Sequence, residues 1–158
     1  MVTRKHSRVG RALAVSVALV TLAAVFAHAS KAEPTVEELK AKISTIKTDD
    51  RPPLCIQVSE MQLAAAKRSY GMGDSEQAKA ALGDVVAFSE AARDYSIQSR
   101  KHEKQTEIAI RKMIRKLADL KHTVSHEEEA EVQSTMDRLE RVRDDLLTAM
   151  FPKVKGNK

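Results

Sequence analysis

The sequence predicts an all-α protein built from antiparallel helix hairpins in an elongated arrangement. Between Pro53 and Pro152 the chain has 98 residues without a proline, and the only glycines there are Gly71, Gly73 and Gly83. Proteins made of strands and turns need such residues about every ten positions. Apolar residues also recur three and four positions apart, which is the spacing of one helix face. We therefore expect helices throughout this stretch.

The first 29 residues have the pattern of a cleavable secretory signal. They begin with four cations: Arg4, Lys5, Arg8 and Arg11. An apolar run follows and ends in Ala27-His28-Ala29, the small–large–small pattern that a signal peptidase accepts. We expect cleavage between Ala29 and Ser30 and a periplasmic or extracellular mature chain. An uncleaved anchor is the alternative, although the run is shorter than the ~20 residues of a usual membrane span.

Removal of this segment changes the net charge. The whole chain has 27 Lys and Arg against 22 Asp and Glu, but four of the cations lie within residues 1–29. The mature chain of 129 residues therefore has a net charge of +1. A globally basic protein that binds nucleic acid is not indicated. The single thiol, Cys55, is expected to be either a small buried apolar residue or a site of intermolecular pairing.

The mature chain divides into three parts: a short helix with its linker at 30–53, a helical hairpin or bundle domain at 54–151, and a basic tail at 152–158. The short helix is predicted over residues 35–47 with Thr35 as its cap. Residues 48–53 (TDDRPP) are predicted to be an exposed linker, because proline does not continue a helix.

Two further helices are predicted before residue 125. The first covers residues 54–70 and stops at 71–74, where glycine can adopt the left-handed cap conformation. The next is long, covering 75–123, but its middle at 96–107 is almost entirely polar. A helix that is polar all round either bridges two packed regions through solvent or kinks, and both alternatives stay open.

The last two helical segments are predicted to form a coiled-coil-like hairpin. Ser125 followed by Glu128 fits a capping box that starts a helix over 126–150. Heptad positions a and d are apolar or Thr on both sides of this turn: Thr106, Ile110, Met113, Leu117, Leu120 and Val124, then Val132, Thr135, Leu139, Val142, Leu146 and Ala149. Residues 100–121 have a net charge of +5 and residues 125–145 a net charge of −5. Opposite charges on the flanks favour antiparallel pairing.

The turn after the second helix resembles a known motif. Tyr70 is followed by Gly-Met-Gly-Asp, by the small residue Ala78 and by Leu82 one turn later. This stretch, about residues 60–92, resembles the inter-helix turn of a tetratricopeptide repeat, without that family's Leu-Gly pair and closing proline. The resemblance implies a helix hairpin and, more remotely, a peptide-binding groove, although no second repeat is present. As a whole, the chain resembles small exported all-helical bacterial proteins of unassigned function.

No motif for catalysis or cofactor binding is found. His122 and His126 are four residues apart and precede three glutamates, which on one continuous helix would place two imidazoles over a metal ion. The cap at Ser125 lies between them, so we expect exposed turn residues rather than a metal site. A helix bundle also offers little concave volume. We therefore expect neither enzymatic activity nor a cofactor.

The best candidate binding surface is a basic stretch within residues 100–121. Its cations recur roughly four and seven positions apart: Arg100, Lys101, Lys104, Arg111, Lys112, Arg115 and Lys116. The opposed charge blocks favour the interpretation that these cations face the acidic last helix and are neutralised internally. The other interpretation is an anion-binding surface for phospholipid headgroups or another polyanion. No aromatic residue interleaves the cations, which argues against stacking on nucleic acid bases.

Two functions follow from these observations. The first is a non-enzymatic extracytoplasmic scaffold or interaction protein that binds another protein through its helix faces. The alternative is a surface binder of anionic lipid or polyanion that uses residues 100–121. Salt dependence distinguishes them, since purely electrostatic binding weakens sharply with ionic strength. The residues identify neither the partner nor the oligomeric state.

Overall fold

A computed structural model describes residues 33–152 as five α-helices and one short 3₁₀ helix, with no β-strand among them. The predicted all-α fold class is confirmed. No helix in this part of the chain is both long and apolar enough to cross a membrane. The predicted signal at 1–29, its cleavage site and residues 153–158 of the basic tail lie outside the described residues.

The first helix, α1, spans Val36–Thr45 and begins with reciprocal capping. The Thr35 hydroxyl accepts a hydrogen bond from the Glu38 N–H at 3.2 Å, and the Glu38 carboxylate accepts one from the Thr35 N–H at 2.8 Å. These bonds satisfy backbone donors that the start of a helix leaves unpaired. The predicted cap is correct, and the helix ends two residues earlier than predicted.

The prediction of an exposed linker at 48–53 is wrong. Thr48–Asp50 form a 3₁₀ turn, and α2 follows at once over Arg51–Gly71. Pro52 is buried in the first turn of α2. Proline suits this position because its missing N–H would have no helical partner there and its φ is already helical. The predicted boundary between residues 53 and 54 therefore falls inside a helix.

The long helical stretch predicted over 75–123, for which a kink in the polar middle was left open, consists of two helices, α3 (Ser75–Ser99) and α4 (Glu103–Lys121). Between them the chain reverses over residues 100–102, which we call the reversal. The buried hydroxyls of Ser96 and Thr106, 2.9 Å apart, join the two helix ends across it. Folding back lets the apolar faces of α3 and α4 enter one core, which a single straight helix could not achieve.

The reversal contains two strained residues. Arg100 and His102 have φ angles of 53° and 65°, in the left-handed region that costs a non-glycine residue roughly 1–2 kcal/mol. We expect Arg100→Gly to raise the free energy of unfolding by about 0.5–1 kcal/mol, because glycine adopts this φ without steric cost. Arg141→Gly, at an exposed position in the middle of a helix, should lower it by about 1 kcal/mol. Urea denaturation measures both, and an equal loss for the two variants would contradict a left-handed Arg100.

The four long helices form a bundle of two hairpins. The last of them, α5, covers His126–Met150 and packs antiparallel to α4, as α3 does to α2. The hairpins then pack side by side, with α3 parallel to α5 and α2 parallel to α4. The order around the bundle is α2, α3, α5, α4, so the reversal links helices that are diagonal to each other.

One core cluster contains residues of all four long helices. Ten of the twelve predicted a and d residues of α4 and α5 are buried, and the other two, Val124 and Ala149, are half-buried. Each aliphatic side chain removed from water contributes about 1.5–3 kcal/mol. A smaller cluster attaches α1 to α2 and α3: Leu39, Ile43, Cys55, Val58 and Ala92.

Candidate functional site

The seven predicted cations lie in the reversal and on the outer side of α4. Arg100 and Lys101 belong to the reversal. The other five are exposed on α4: Lys104, Arg111, Lys112, Arg115 and Lys116. We call these five residues the basic face. Lys104, Arg111, Lys112 and Arg115 lie on the side of the helix away from the buried Met113 and Leu117, whereas Lys116 lies at the border of that side and faces α2.

Two of the seven cations have a carboxylate partner, and neither partner is on α5. Lys101 Nζ lies 2.6 Å from Asp49 Oδ2. This hydrogen bond raises the pKa of Lys101 and lowers the pKa of Asp49. Arg111 Nε lies 3.6 Å from Glu107 Oε1 on the same helix.

The remaining five cations have no such partner in the described chain. Within residues 33–152, no carboxylate oxygen lies within 4.0 Å of a side-chain nitrogen of Arg100, Lys104, Lys112, Arg115 or Lys116. The charges of this surface therefore face solvent rather than an internal counterion.

In the ion pair between α4 and α5, the cation comes from α5 and the acid from α4, which is the reverse of the prediction. Arg143 Nε on α5 lies 2.8 Å from Glu107 Oε1 on α4, and Glu107 is only 7% exposed. An acid of α5 pairs with α3 instead, since Asp145 Oδ2 is 2.9 Å from Arg93 Nη1. The predicted pairing of the basic face with α5 is wrong, because burying the apolar face of α4 turns its cations outward.

A groove between α2 and α4 borders the basic face. At one end it holds a cavity of about 290 Å³, lined by Leu63, Ala64, Leu120 and the charged Glu60, Lys67, Lys116 and Asp119. Nearer the reversal it holds a cavity of about 200 Å³, lined by Pro53, Ile56, His102, Gln105 and Thr106. We call the two cavities together the α2–α4 groove. The sequence did not reveal it, because it exists only when α4 folds back beside α2.

Another cavity, of about 400 Å³, lies between α2 and α3. Its carboxylate, Asp84, already accepts hydrogen bonds from Lys40 at 2.8 Å and Gln62 at 2.6 Å. Arg68 is the only other charged residue in its described lining. This cavity therefore has fewer uncommitted charges than the α2–α4 groove.

The residues considered for metal binding or nucleophilic chemistry do not form a cluster. His122 and His126 are exposed at the turn between α4 and α5, as predicted. Among the described residues, no group of three or more His, Cys, Asp or Glu side chains is placed to hold a metal ion. Cys55 is fully buried, and this burial raises the pKa of its thiol to about 11. Of the two expectations for Cys55, the structure agrees with the small buried residue.

Comparison with known proteins adds no relative to this description. No protein-family model, no curated protein and no solved structure matches the chain. The features of the described chain that suggest a function are the basic face and the α2–α4 groove.

Proposed function

We propose that the mature chain is an exported, non-enzymatic interaction protein whose basic face binds an acidic surface of another protein. One observation supports this most directly: Lys104, Lys112, Arg115 and Lys116 are exposed, and no carboxylate of residues 33–152 lies within 4.0 Å of their nitrogens. Cations that stabilise no internal ion pair are available to a partner. In this proposal α4 and α5 are a coiled-coil-like hairpin that holds the cations on a rigid support.

Such a surface would act mainly through its combined field. A single exposed ion pair contributes only about 0–1 kcal/mol, whereas several like charges on one face steer an oppositely charged partner and accelerate association. The interaction should weaken as ionic strength rises, because salt screens exposed charges beyond roughly 10 Å at 0.1 M.

The double change Lys112→Glu and Lys116→Glu tests the proposal. We expect the melting temperature at low salt to stay nearly constant, since neither lysine pairs with α5. Binding of a poly-glutamate peptide probe should weaken about tenfold or more, because attraction becomes repulsion. The matched control, Lys42→Glu with Lys47→Glu, makes the same charge change at exposed positions on and just after α1 and should leave binding nearly unchanged.

Two results would contradict the proposal. A stability loss at low salt that disappears at high salt would indicate that the two lysines are neutralised internally after all. Equal weakening of peptide binding by the variant and its control would indicate that only net charge matters, without a specific basic face.

An anionic membrane surface is the second candidate, and one observation favours it. Phe151 is 72% exposed and Ile97 is 36% exposed, and both lie at the end of the bundle that contains the reversal. Arg100 lies at the same end, and cations beside exposed apolar side chains suit a lipid interface. Association with phosphatidylglycerol vesicles that is lost in Phe151→Ser and kept in the double Lys112→Glu, Lys116→Glu variant would favour the membrane over a protein partner.

A further inference from the structure

We infer that the α2–α4 groove receives the apolar side of an acidic amphipathic helix in the partner, while the basic face pairs with that helix's carboxylates. The inference rests on the proposed function and deepens it by naming the structural class of the partner.

The groove has room for apolar side chains. Both cavities open to solvent, and they measure about 290 Å³ and 200 Å³. Their floor includes Leu63 and Leu120, which are 4% and 3% exposed, and the half-buried Ile56. Ala64 stands exposed on the rim of the larger cavity, so no long side chain covers it at that point.

The spacing of the cavities suits a helix. Their lining residues are seven positions apart on α2, from Ile56 to Leu63, and fourteen apart on α4, from Thr106 to Leu120. At about 1.5 Å of rise per residue, the cavities are roughly 10–20 Å apart along the bundle. Residues i, i+7 and i+11 of an α-helix lie on one face within that span. A helix laid along the groove can therefore place one apolar side chain over each cavity.

The larger cavity is lined by equal numbers of cations and acids, but the α4 flank of the groove is positively charged and favours an acidic helix. Lys116 lines the larger cavity from α4 and Lys67 lines it from α2. Two acids, Glu60 and Asp119, also line it, and among the described residues neither has a cation within 4.0 Å. The net charge becomes positive toward the basic face, because Lys112 and the other cations of that face lie next to the groove on α4. Acidic residues on the flank nearest α4 would pair there and orient the helix.

The test uses three synthetic helical peptides of about 20 residues, the usual size of a helix that binds in a groove. The first has leucines at i, i+4, i+7 and i+11 and glutamates along one flank. In the second the glutamates are lysines, and in the third the leucines are serines. Fluorescence anisotropy reports binding to the mature protein. We expect the first peptide to bind at least about tenfold more tightly than either of the others.

Ala64→Trp is the matching change in the protein. The indole fills the larger cavity from an exposed position, so the fold should tolerate it, and binding of the first peptide should weaken about tenfold. Ala87→Trp places the same side chain at an exposed position of α3 and should leave binding nearly unchanged. Circular dichroism melts of both variants exclude unfolding as the cause.

The possible outcomes separate this inference from the proposed function. If Ala64→Trp and the serine peptide bind as well as their parents while Lys112→Glu with Lys116→Glu abolishes binding, the groove is not used and the basic face is. If neither the groove nor the lysines affect binding, both proposals fail. If the lysine peptide binds as tightly as the glutamate peptide, the groove is apolar but does not select an acidic partner, and the inference is overturned.

Discussion

Leu117→Asp and Leu139→Asp should each unfold a large part of the bundle at ambient temperature. Both leucines are fully buried in the cluster shared by all four long helices. The substitution removes apolar contacts, leaves a cavity and places a carboxylate in a buried apolar cluster. We expect a loss on the order of 4–5 kcal/mol or more for each variant. Domains of this size have only about 5–15 kcal/mol of stability in total.

Exposed positions on the same helices provide the comparison. Arg115→Asp on α4 and Arg141→Asp on α5 make a similar or larger charge change where water solvates the carboxylate. Each should change the free energy of unfolding by about 0.5 kcal/mol or less. Denaturation in guanidinium, followed by circular dichroism at 222 nm, measures all four variants. Comparable losses at the buried and exposed positions would show that α4 and α5 do not pack through this face.

Cys55 should be almost inert toward thiol reagents in the native protein. Its pKa of about 11, against an ordinary value of 9.0, means roughly a hundredfold less thiolate than an ordinary cysteine at any pH below 9. Burial beneath α1 further limits access. Labelling should therefore require unfolding or the detachment of α1, and no disulfide-linked dimer should form in an oxidising buffer.

A substitution on α1 separates these two routes. Leu39 is 2% exposed in the cluster that contains Cys55, so Leu39→Asp should release α1 and accelerate labelling by an Ellman-type reagent at least about tenfold. Lys42→Asp, at an exposed position of the same helix, should have little effect. Rapid labelling of the unmodified protein at neutral pH would mean that the thiol is accessible, and an intermolecular role would then be favoured.

The parts of the fold that the sequence predicted depend on local signals. The caps at Thr35 and Ser125 are formed by residues three positions apart in the sequence. The spacing of the apolar residues in α4 and α5 predicts which side of each helix is buried. The Glu128 carboxylate accepts bonds from the Ser125 N–H at 3.0 Å and the Ser125 hydroxyl at 2.8 Å, as a serine at that position suggested. Such features need no knowledge of the rest of the chain.

The parts that were missed depend on packing between distant segments. The polar stretch at 96–107 left a kink open, but the full reversal was not predicted, because Arg100 and His102 adopt a conformation usually reserved for glycine. The α2–α4 groove follows from the reversal and was equally hidden. The basic and acidic segments are present as predicted, but their predicted pairing is wrong. The net charge of a segment does not determine which side of the helix each cation occupies. The ion pair that does join α4 and α5 uses the minority charges: the acid Glu107 of the mainly basic α4 and the cation Arg143 of the mainly acidic α5.

The reversal is also the hinge at which two copies of the chain could exchange their α4–α5 hairpins by domain swapping. The two hairpins share one core, and the three residues of the reversal are the whole covalent link between α3 and α4. If those residues became helical, α3 and α4 would continue as one rod about 70 Å long, and the α4–α5 hairpin would move away from its own α2–α3 hairpin. Two molecules opened in this way could each complete the other's core with the same contacts. Domain swapping is favoured by short hinges under strain. Here the strain lies in two non-glycine residues with positive φ, Arg100 and His102.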